Sequence, residues 1–121
     1  MKSILVVEDD PFLIDIYTTK LKEAGFKVES ATDGDSALRK VKEKKIDLLL
    51  LDIILPQTDG WEILKKIRKS SNLKNLKIVI LSNLGQKEEV EKGLKLGATK
   101  YLIKAHYTPT EVVEEIKEIL H

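Results

Sequence analysis

Acidic and basic side chains stand directly after apolar runs at three places along the chain. Glu8, Asp9 and Asp10 follow a run of four aliphatic residues, Asp52 follows four consecutive leucines, and Lys104 follows a third apolar run. If these runs are neighbouring parallel strands, their carboxyl ends meet at one edge of the sheet. Several carboxylates and one ammonium would then share a pocket, which suits a divalent cation and a phosphoryl group.

Asp52 ends the most apolar of these runs. An isolated aspartate in such a place is more often a turn residue, but its acidic neighbours favour a carboxylate that takes a phosphoryl group as an acyl phosphate. Facing carboxylates repel one another, and Mg²⁺ or Mn²⁺ would relieve that repulsion. Asp10 has a second interpretation, because Asp10-Pro11 is typical of a helix N-cap followed by proline.

Two further polar residues stand at predicted strand ends. Lys104 could be a surface lysine, yet a lysine that reaches a phosphoryl oxygen supplies a stabilising point charge. Ser82 follows the apolar run 78–81 and begins a predicted loop, where its hydroxyl can donate to a phosphoryl oxygen. Each residue is a weak indication by itself. The acidic residues 8–10, Asp52, Ser82 and Lys104 stand at four different strand ends, and together they indicate one site.

Two hydrophobic periods alternate along the chain. Nearly continuous apolarity in short runs predicts strands buried on both faces, as in parallel sheets. Five such runs alternate with five segments of helical spacing, which predicts an α/β three-layer sandwich. Its sheet is expected to be doubly wound, parallel and five-stranded, with the flavodoxin-like order 2-1-3-4-5. The predicted strands cover residues 4–7, 28–31, 46–51, 78–81 and 101–103.

The predicted helices have recognisable ends and apolar faces. Gly25 ends the first helix, and Thr108-Pro109 begins the last one. The fourth helix is expected to bury an apolar face made of Val90, Leu94 and Leu96.

Composition excludes several classes of function. With 21 basic and 20 acidic residues among 121, the net charge of +1 gives no electrostatic case for binding nucleic acid or an anionic membrane. No apolar stretch approaches the roughly 20 residues that span a bilayer. The chain has no cysteine, and therefore no disulfide or thiolate chemistry. We expect a single-domain cytoplasmic protein.

These motifs closely resemble the receiver domain of two-component response regulators. The resemblance rests on five segments in the expected order and spacing, and it covers the whole chain. It implies one receiver domain over residues 1–121 with no output domain present. The segments are Val6 to Pro11, Leu51 to Pro56 with Asp59-Gly60, Leu81-Ser82, Gly97-Ala98 and Tyr101 to Lys104.

The resemblance also implies a role for each site residue. Asp52 would be the phosphoacceptor, and Mg²⁺ or Mn²⁺ would be the cofactor. Asp9 would bind the metal directly and Glu8 mainly through water. Asp52 and the backbone carbonyl of Ile54 would complete the protein ligands.

Further implied roles concern the bound phosphoryl group. Ser82 and Lys104 would hold phosphoryl oxygens, and Tyr101 would turn inward when Ser82 is drawn to the phosphate. Ile54 and Leu84 stand two residues beyond Asp52 and Ser82. Their apolar side chains are predicted to obstruct an attacking water and to lengthen the lifetime of the phosphorylated state.

The implied function is a signalling switch and not an enzyme, since its only chemistry is phosphoryl transfer and dephosphorylation on itself. The expected donor is a sensor histidine kinase or a histidine phosphotransfer protein. A downstream protein would read the face formed by the fourth helix, the last strand and the fifth helix. Thr99-Lys100 lacks the acids that often pair across receiver dimers, so we expect a monomer or a weak phosphorylation-dependent dimer.

Three other functions are compatible with parts of this pattern. A haloacid-dehalogenase-type phosphatase needs a second aspartate two residues after the nucleophile, where Ile54 stands. A flavodoxin-like cofactor carrier needs a Ser, Thr or Gly-rich loop after the first strand, where this chain is acidic. An unphosphorylated receiver that acts as a scaffold has the same sequence pattern, and only a phosphorylation experiment separates it from the switch.

Overall fold

One five-stranded parallel sheet carries five helices on its two faces in the computed structural model, which describes all 121 residues. The strand order is β2-β1-β3-β4-β5, so the predicted doubly wound order 2-1-3-4-5 is confirmed. The strands are β1 (Ser3–Val7), β2 (Lys27–Ala31), β3 (Leu48–Leu51), β4 (Lys77–Ser82) and β5 (Lys100–Ile103). The helices are α1 (Pro11–Glu23), α2 (Gly34–Glu43), α3 (Gly60–Lys69), α4 (Lys87–Lys95) and α5 (Pro109–Leu120).

The sheet divides the core into two halves because successive strand residues point to opposite faces. Leu49 and Leu51 pack with the side of the sheet that α2 and α3 cover. Leu48 and Leu50 pack on the other side, with apolar residues of α1 and α5. Burial on both faces explains why β3 reads as four leucines, and the three-layer architecture is confirmed.

Local signals set the helix ends as the sequence predicted. The Asp10 side chain accepts a hydrogen bond from Phe12 N at 2.9 Å and caps α1. Thr108 caps α5 in a capping box with Glu111. Gly25 follows α1 with a φ of +97°, a conformation that glycine adopts without steric cost. None of the helices has the length and apolarity that crossing a bilayer requires.

Three sequence predictions about the elements were wrong in detail. β3 begins at Leu48, two residues later than expected. Ser82 is the last residue of β4 and pairs with Ile103, so it does not begin the following loop. Leu94 is 47% exposed, whereas Gly93 is the buried residue of α4. A side chain on Gly93 would meet the Tyr101 ring 2.8 Å away, so the helix approaches the sheet through glycine.

A short antiparallel hairpin after β3 was not predicted. Ile54–Leu55 pairs with Thr58–Asp59, and each strand has only two residues, too few to show a period. Gly60 closes the hairpin, since its N donates to Ile53 O at 3.1 Å. A Cβ on Gly60 would lie 2.5 Å from both the Cα and the carbonyl oxygen of Ile53. The hairpin therefore fixes the backbone immediately after Asp52.

We expect Gly60→Ala to lower the free energy of unfolding by about 2 kcal/mol or more, because the backbone of Ile53 has to move to admit the methyl group. Gly85→Ala is the matched control, since its nearest neighbours are side-chain atoms of Ile103 at 3.2 Å and beyond. Urea unfolding of both variants is the measurement. If both match the wild type, the close contact at Gly60 is not important for stability.

Candidate functional site

The carboxyl ends of β1, β3 and β5 bring three predicted site residues into contact. Lys104 Nζ lies 2.6 Å from Glu8 Oε1 and 2.8 Å from Asp52 Oδ2, and it donates a hydrogen bond to each. The parallel register of β1 with β3 puts Val7 beside Leu51, so the residues that follow these strands are neighbours. The sequence argument from converging strand ends predicted this cluster.

Burial makes the cluster electrostatically unusual. Glu8 and Asp52 are only 3% and 6% exposed. Burial raises the pKa of Glu8, although hydrogen bonding to Lys104 opposes that shift. Burial also lowers the pKa of Lys104, but its hydrogen bonds to Asp52 and Glu8 outweigh burial and raise it above the ordinary value. Lys104 is therefore held as a cation between the two carboxylates.

Backbone amides orient the two buried carboxylates. Glu8 Oε2 accepts hydrogen bonds from Asp9 N at 3.0 Å and Asp10 N at 3.2 Å. Asp52 Oδ1 accepts one from Ile54 N at 3.0 Å, which leaves Oδ2 for Lys104. The loop after β1 and the hairpin after β3 thus hold each carboxylate in a defined rotamer.

A divalent cation fits the chemistry of this donor set. Glu8, Asp9 and Asp52 each offer a carboxylate oxygen, and the three oxygens lie within 4.8 Å of one another. Mg²⁺ prefers a few carboxylates with retained water and phosphate oxygens. Three carboxylates facing one ammonium leave an excess of negative charge. The cluster therefore has the composition of a Mg²⁺ site.

The cluster lines an open pocket of about 280 Å³. Asp9, Asp10 and Ile54 also line it, and the side chain of Ile54 is 53% exposed. Leu13 and Asn83 complete the wall, and the sequence argument assigned neither to the site. Asn83 had a usable signal, because it directly follows the strand end at Ser82. Leu13 had none, since its helical spacing indicated only packing.

Ser82, Leu84 and Tyr101 form a connected group beside this pocket. Ser82 is fully buried, and its Oγ accepts a hydrogen bond from Leu84 N at 3.2 Å. The Tyr101 hydroxyl donates to Leu84 O at 2.6 Å. Tyr101 therefore already contacts the loop after Ser82. Ser82 makes no hydrogen bond to the cluster of Lys104, so its contact with a phosphoryl oxygen stays a prediction.

Two contacts that the sequence did not indicate tie α4 to α3. Arg68 Nε donates to Gly97 O at 2.9 Å, just beyond the end of α4. Lys92 Nζ lies 4.5 Å from the centre of the Trp61 ring, which is a cation–π distance. These contacts hold α4 at both its middle and its carboxyl end.

Comparison with known proteins shows which family this sequence matches. The family model described as "Response regulator receiver domain" matches residues 4–117. The chain is 38% identical over 121 residues to the alkaline phosphatase synthesis transcriptional regulatory protein PhoP of Bacillus subtilis, covering 98% of this chain and 48% of that protein. The chain thus spans about half the length of the curated relatives it matches.

Solved structures agree with the family match. A receiver domain protein from Methanospirillum hungatei superposes with a TM-score of 0.91 at 32% identity, covering 99% of this chain and 94% of that one. The beryllofluoride-activated receiver domain of DrrB gives a TM-score of 0.87 at 28% identity, with 99% and 97% coverage. Fold, site and sequence therefore point to one family.

Proposed function

The chain belongs to the response regulator receiver domain family, and we propose that it is a phosphorylation-dependent signalling switch whose phosphoacceptor is Asp52. One observation carries the proposal. The Asp52 carboxylate stands at the wall of an open pocket with Lys104 Nζ 2.8 Å away and two further carboxylates beside it. That combination of nucleophile, cation and metal-type ligands suits phosphoryl transfer to a side chain.

The chemistry assigns distinct tasks to these side chains. A carboxylate oxygen of Asp52 forms a bond to phosphorus while the bond from phosphorus to the donor breaks. Lys104, already placed against Asp52 Oδ2, pairs with a phosphoryl oxygen after transfer. Ser82, at the end of the neighbouring β4, donates its hydroxyl to a second phosphoryl oxygen. The only chemistry of the domain is this transfer and the later hydrolysis of its own phosphate.

Mg²⁺ or Mn²⁺ is the proposed cofactor, and when bound it neutralises negative charge on the transferred group. Asp9 and Asp52 would hold it directly, and Glu8 would act mainly through water. The backbone carbonyl of Ile54 would complete the protein ligands. The three carboxylate oxygens within 4.8 Å of one another support this assignment.

We expect Asp9→Ala to weaken Mg²⁺ binding far more than Asp10→Ala does. Asp9 offers a ligand oxygen, whereas the Asp10 side chain caps α1 through Phe12 N. Asp10→Ala should instead lower the free energy of unfolding by about 1 kcal/mol, the usual contribution of an N-cap. Calorimetric Mg²⁺ titration and urea unfolding of both variants separate the effects. Equal losses of metal affinity would show that this division between the two aspartates is wrong.

The proposed donor is a sensor histidine kinase or a histidine phosphotransfer protein, and the proposed output surface is the face of α4, β5 and α5. Three contacts support this surface. Leu84 N donates a hydrogen bond to Ser82 Oγ, and Leu84 O accepts one from the Tyr101 hydroxyl. The Tyr101 ring in turn packs against Gly93 of α4. A phosphoryl group that draws in the Ser82 hydroxyl would therefore change the contacts of Leu84 and Tyr101, and Tyr101 lies on the face of α4, β5 and α5. The phosphoryl group would shift the population between two conformations of this face, because it makes contacts in only one of them.

Beryllofluoride, which mimics a phosphoryl group on a carboxylate, tests the switch. We expect backbone amide shifts, after addition of Mg²⁺ and beryllofluoride, at Val90, Tyr101 and Val112 as well as at the pocket. Asp52→Asn is the control, because it removes the carboxylate that holds the mimic. Shifts confined to the pocket loops would show that the domain is a phosphoacceptor without this output face, and no shifts would favour the scaffold reading.

The domain by itself is proposed to work through protein contacts. Its net charge of +1 gives no overall electrostatic attraction that would favour direct binding to nucleic acid. We propose a monomer or a weak phosphorylation-dependent dimer.

A further inference from the structure

Tyr17 is a buried tyrosine of α1 for which the proposed chemistry has no use. It is 5% exposed and lies in the apolar cluster between α1, α5 and the sheet. The hydrogen bonds around it run from Thr18 to Ile14 and from Lys104 to the two buried carboxylates, and none includes the Tyr17 hydroxyl. A hydroxyl in a largely apolar cluster that makes no hydrogen bond within the protein needs water as its partner.

A small cavity beneath the phosphoacceptor provides one. It measures about 10 Å³, close to the least volume that holds one water molecule. Every fully buried polar side-chain atom of the protein has a hydrogen-bond partner, so the unbonded Tyr17 hydroxyl borders solvent-sized space. Three of the residues that line the cavity are polar, namely Glu8, Tyr17 and Asp52, and the other four are Val6, Val7, Leu50 and Leu81.

We propose that one water molecule in this cavity joins the Tyr17 hydroxyl to the carboxylates of Glu8 and Asp52, which makes Tyr17 a positioning residue for the phosphoacceptor. Every hydrogen of the tyrosine hydroxyl and of the water has an acceptor in this arrangement. The tyrosine O–H donates to the water oxygen, and the two water hydrogens are donated to the two carboxylates. A buried water typically makes about three hydrogen bonds. This site offers three partners: the Tyr17 hydroxyl, and the carboxylates of Glu8 and Asp52, whose oxygens can accept a further hydrogen bond beside those from Lys104 and the backbone.

The electrostatics of Tyr17 agree with this placement. Burial is the largest influence and raises the pKa of its hydroxyl. The charge of Lys104 lowers that pKa, and the charges of Glu8 and Asp52 raise it, so the hydroxyl lies within electrostatic reach of the whole cluster. The group consequently stays protonated near neutral pH and serves as a hydrogen-bond donor.

The consequence concerns the rotamer of Asp52. Ile54 N and Lys104 Nζ hold its two oxygens from the pocket side. The water adds a restraint from the cavity that Tyr17 and Asp52 both line. Loss of the hydroxyl should free the carboxylate to turn away from the direction in which it meets phosphorus, and phosphorylation should slow by about three- to tenfold.

This inference rests on the proposed function, and Tyr17→Phe tests it because phenylalanine keeps the ring in the core. The matched control is Tyr107→Phe, which removes a hydroxyl from a half-buried tyrosine elsewhere. Phosphorylation by acetyl phosphate with saturating Mg²⁺ is followed by intact mass. We expect the maximal rate of Tyr17→Phe to fall three- to tenfold, with an unchanged half-saturating acetyl phosphate concentration and an unchanged control. A general structural defect would change the fraction of folded protein, which circular dichroism measures in parallel.

A high-resolution crystal structure of the wild type supplies the second readout. We expect one water within hydrogen-bond distance of the Tyr17, Glu8 and Asp52 oxygens, and none there in Tyr17→Phe. A dry cavity, a hydroxyl bonded elsewhere, or a Tyr17→Phe rate equal to that of the wild type overturns the inference. If the wild type takes up no phosphate at all, the proposed function fails, and the crystallographic water then shows separately whether the hydrogen-bonded link exists.

Discussion

Replacing Asp52 with asparagine should abolish phosphate uptake completely. The amide keeps the shape of the side chain and can still accept a hydrogen bond from Ile54 N, as Asp52 Oδ1 does at 3.0 Å. It loses the anionic oxygen that attacks phosphorus and pairs with Lys104 at 2.8 Å. Incubation with acetyl phosphate and Mg²⁺, followed by intact mass measurement, should give one added phosphate for the wild type and none for the variant.

Asp47→Asn is the matched control for this experiment, because Asp47 immediately precedes β3, at the opposite end of that strand. Its side chain accepts a hydrogen bond from Ser3 N at 2.8 Å and has no place in the pocket. We expect Asp47→Asn to take up phosphate as the wild type does. Undiminished labelling of Asp52→Asn, or labelling of the wild type in excess chelator, would refute the assignment of the acceptor and its metal.

The second large effect concerns the lifetime of the phosphorylated state. Ile54→Asn combined with Leu84→Glu should speed the loss of phosphate by about ten- to a hundredfold. Hydrolysis needs a water in line with the bond from Asp52 to phosphorus, and polar side chains can orient that water or accept its proton. The Ile54 side chain lines the pocket and is 53% exposed, so it stands where water enters.

Backbone contacts make this double substitution a fair test. Leu84 is anchored through its N to Ser82 and through its O to Tyr101, so changing its side chain leaves both hydrogen bonds in place. Leu94→Glu is the control, since Leu94 is an exposed leucine of α4 outside the pocket. Decay of the phosphorylated mass is followed after the donor is removed. A double variant that decays at the wild-type rate would show that these side chains do not control access of water.

Long-range patterning explains what the sequence predicted correctly. Four consecutive leucines favour a strand buried on both faces, and the structure has that strand in β3 with Asp52 directly after its end. The alternation of strand and helix periods along the sequence then favoured a doubly wound parallel sheet. That strand order brings Glu8 and Lys104 to the same edge of the sheet. The cluster followed from topology, without any information on individual contacts.

The errors have a different physical origin. The hairpin after Asp52 has two residues in each strand, so no period exists for a sequence pattern to show. Gly93 is buried because α4 approaches the Tyr101 ring closely, and hydrophobicity gives no sign of such an approach. Tyr17 looked like an ordinary core residue on a helical face. Only the cavity beneath Asp52 indicates a use for its hydroxyl.

Chemical trapping of the phosphorylated residue tests the central claim most directly. Borohydride reduces an acyl phosphate to an alcohol, so a phosphorylated aspartate becomes homoserine, which tandem mass spectrometry of peptides locates. After treatment with acetyl phosphate and Mg²⁺, the wild-type protein should carry homoserine at position 52 and at no other. Homoserine at position 9 or 10, or a protein that gains neither phosphate nor homoserine, would contradict the account.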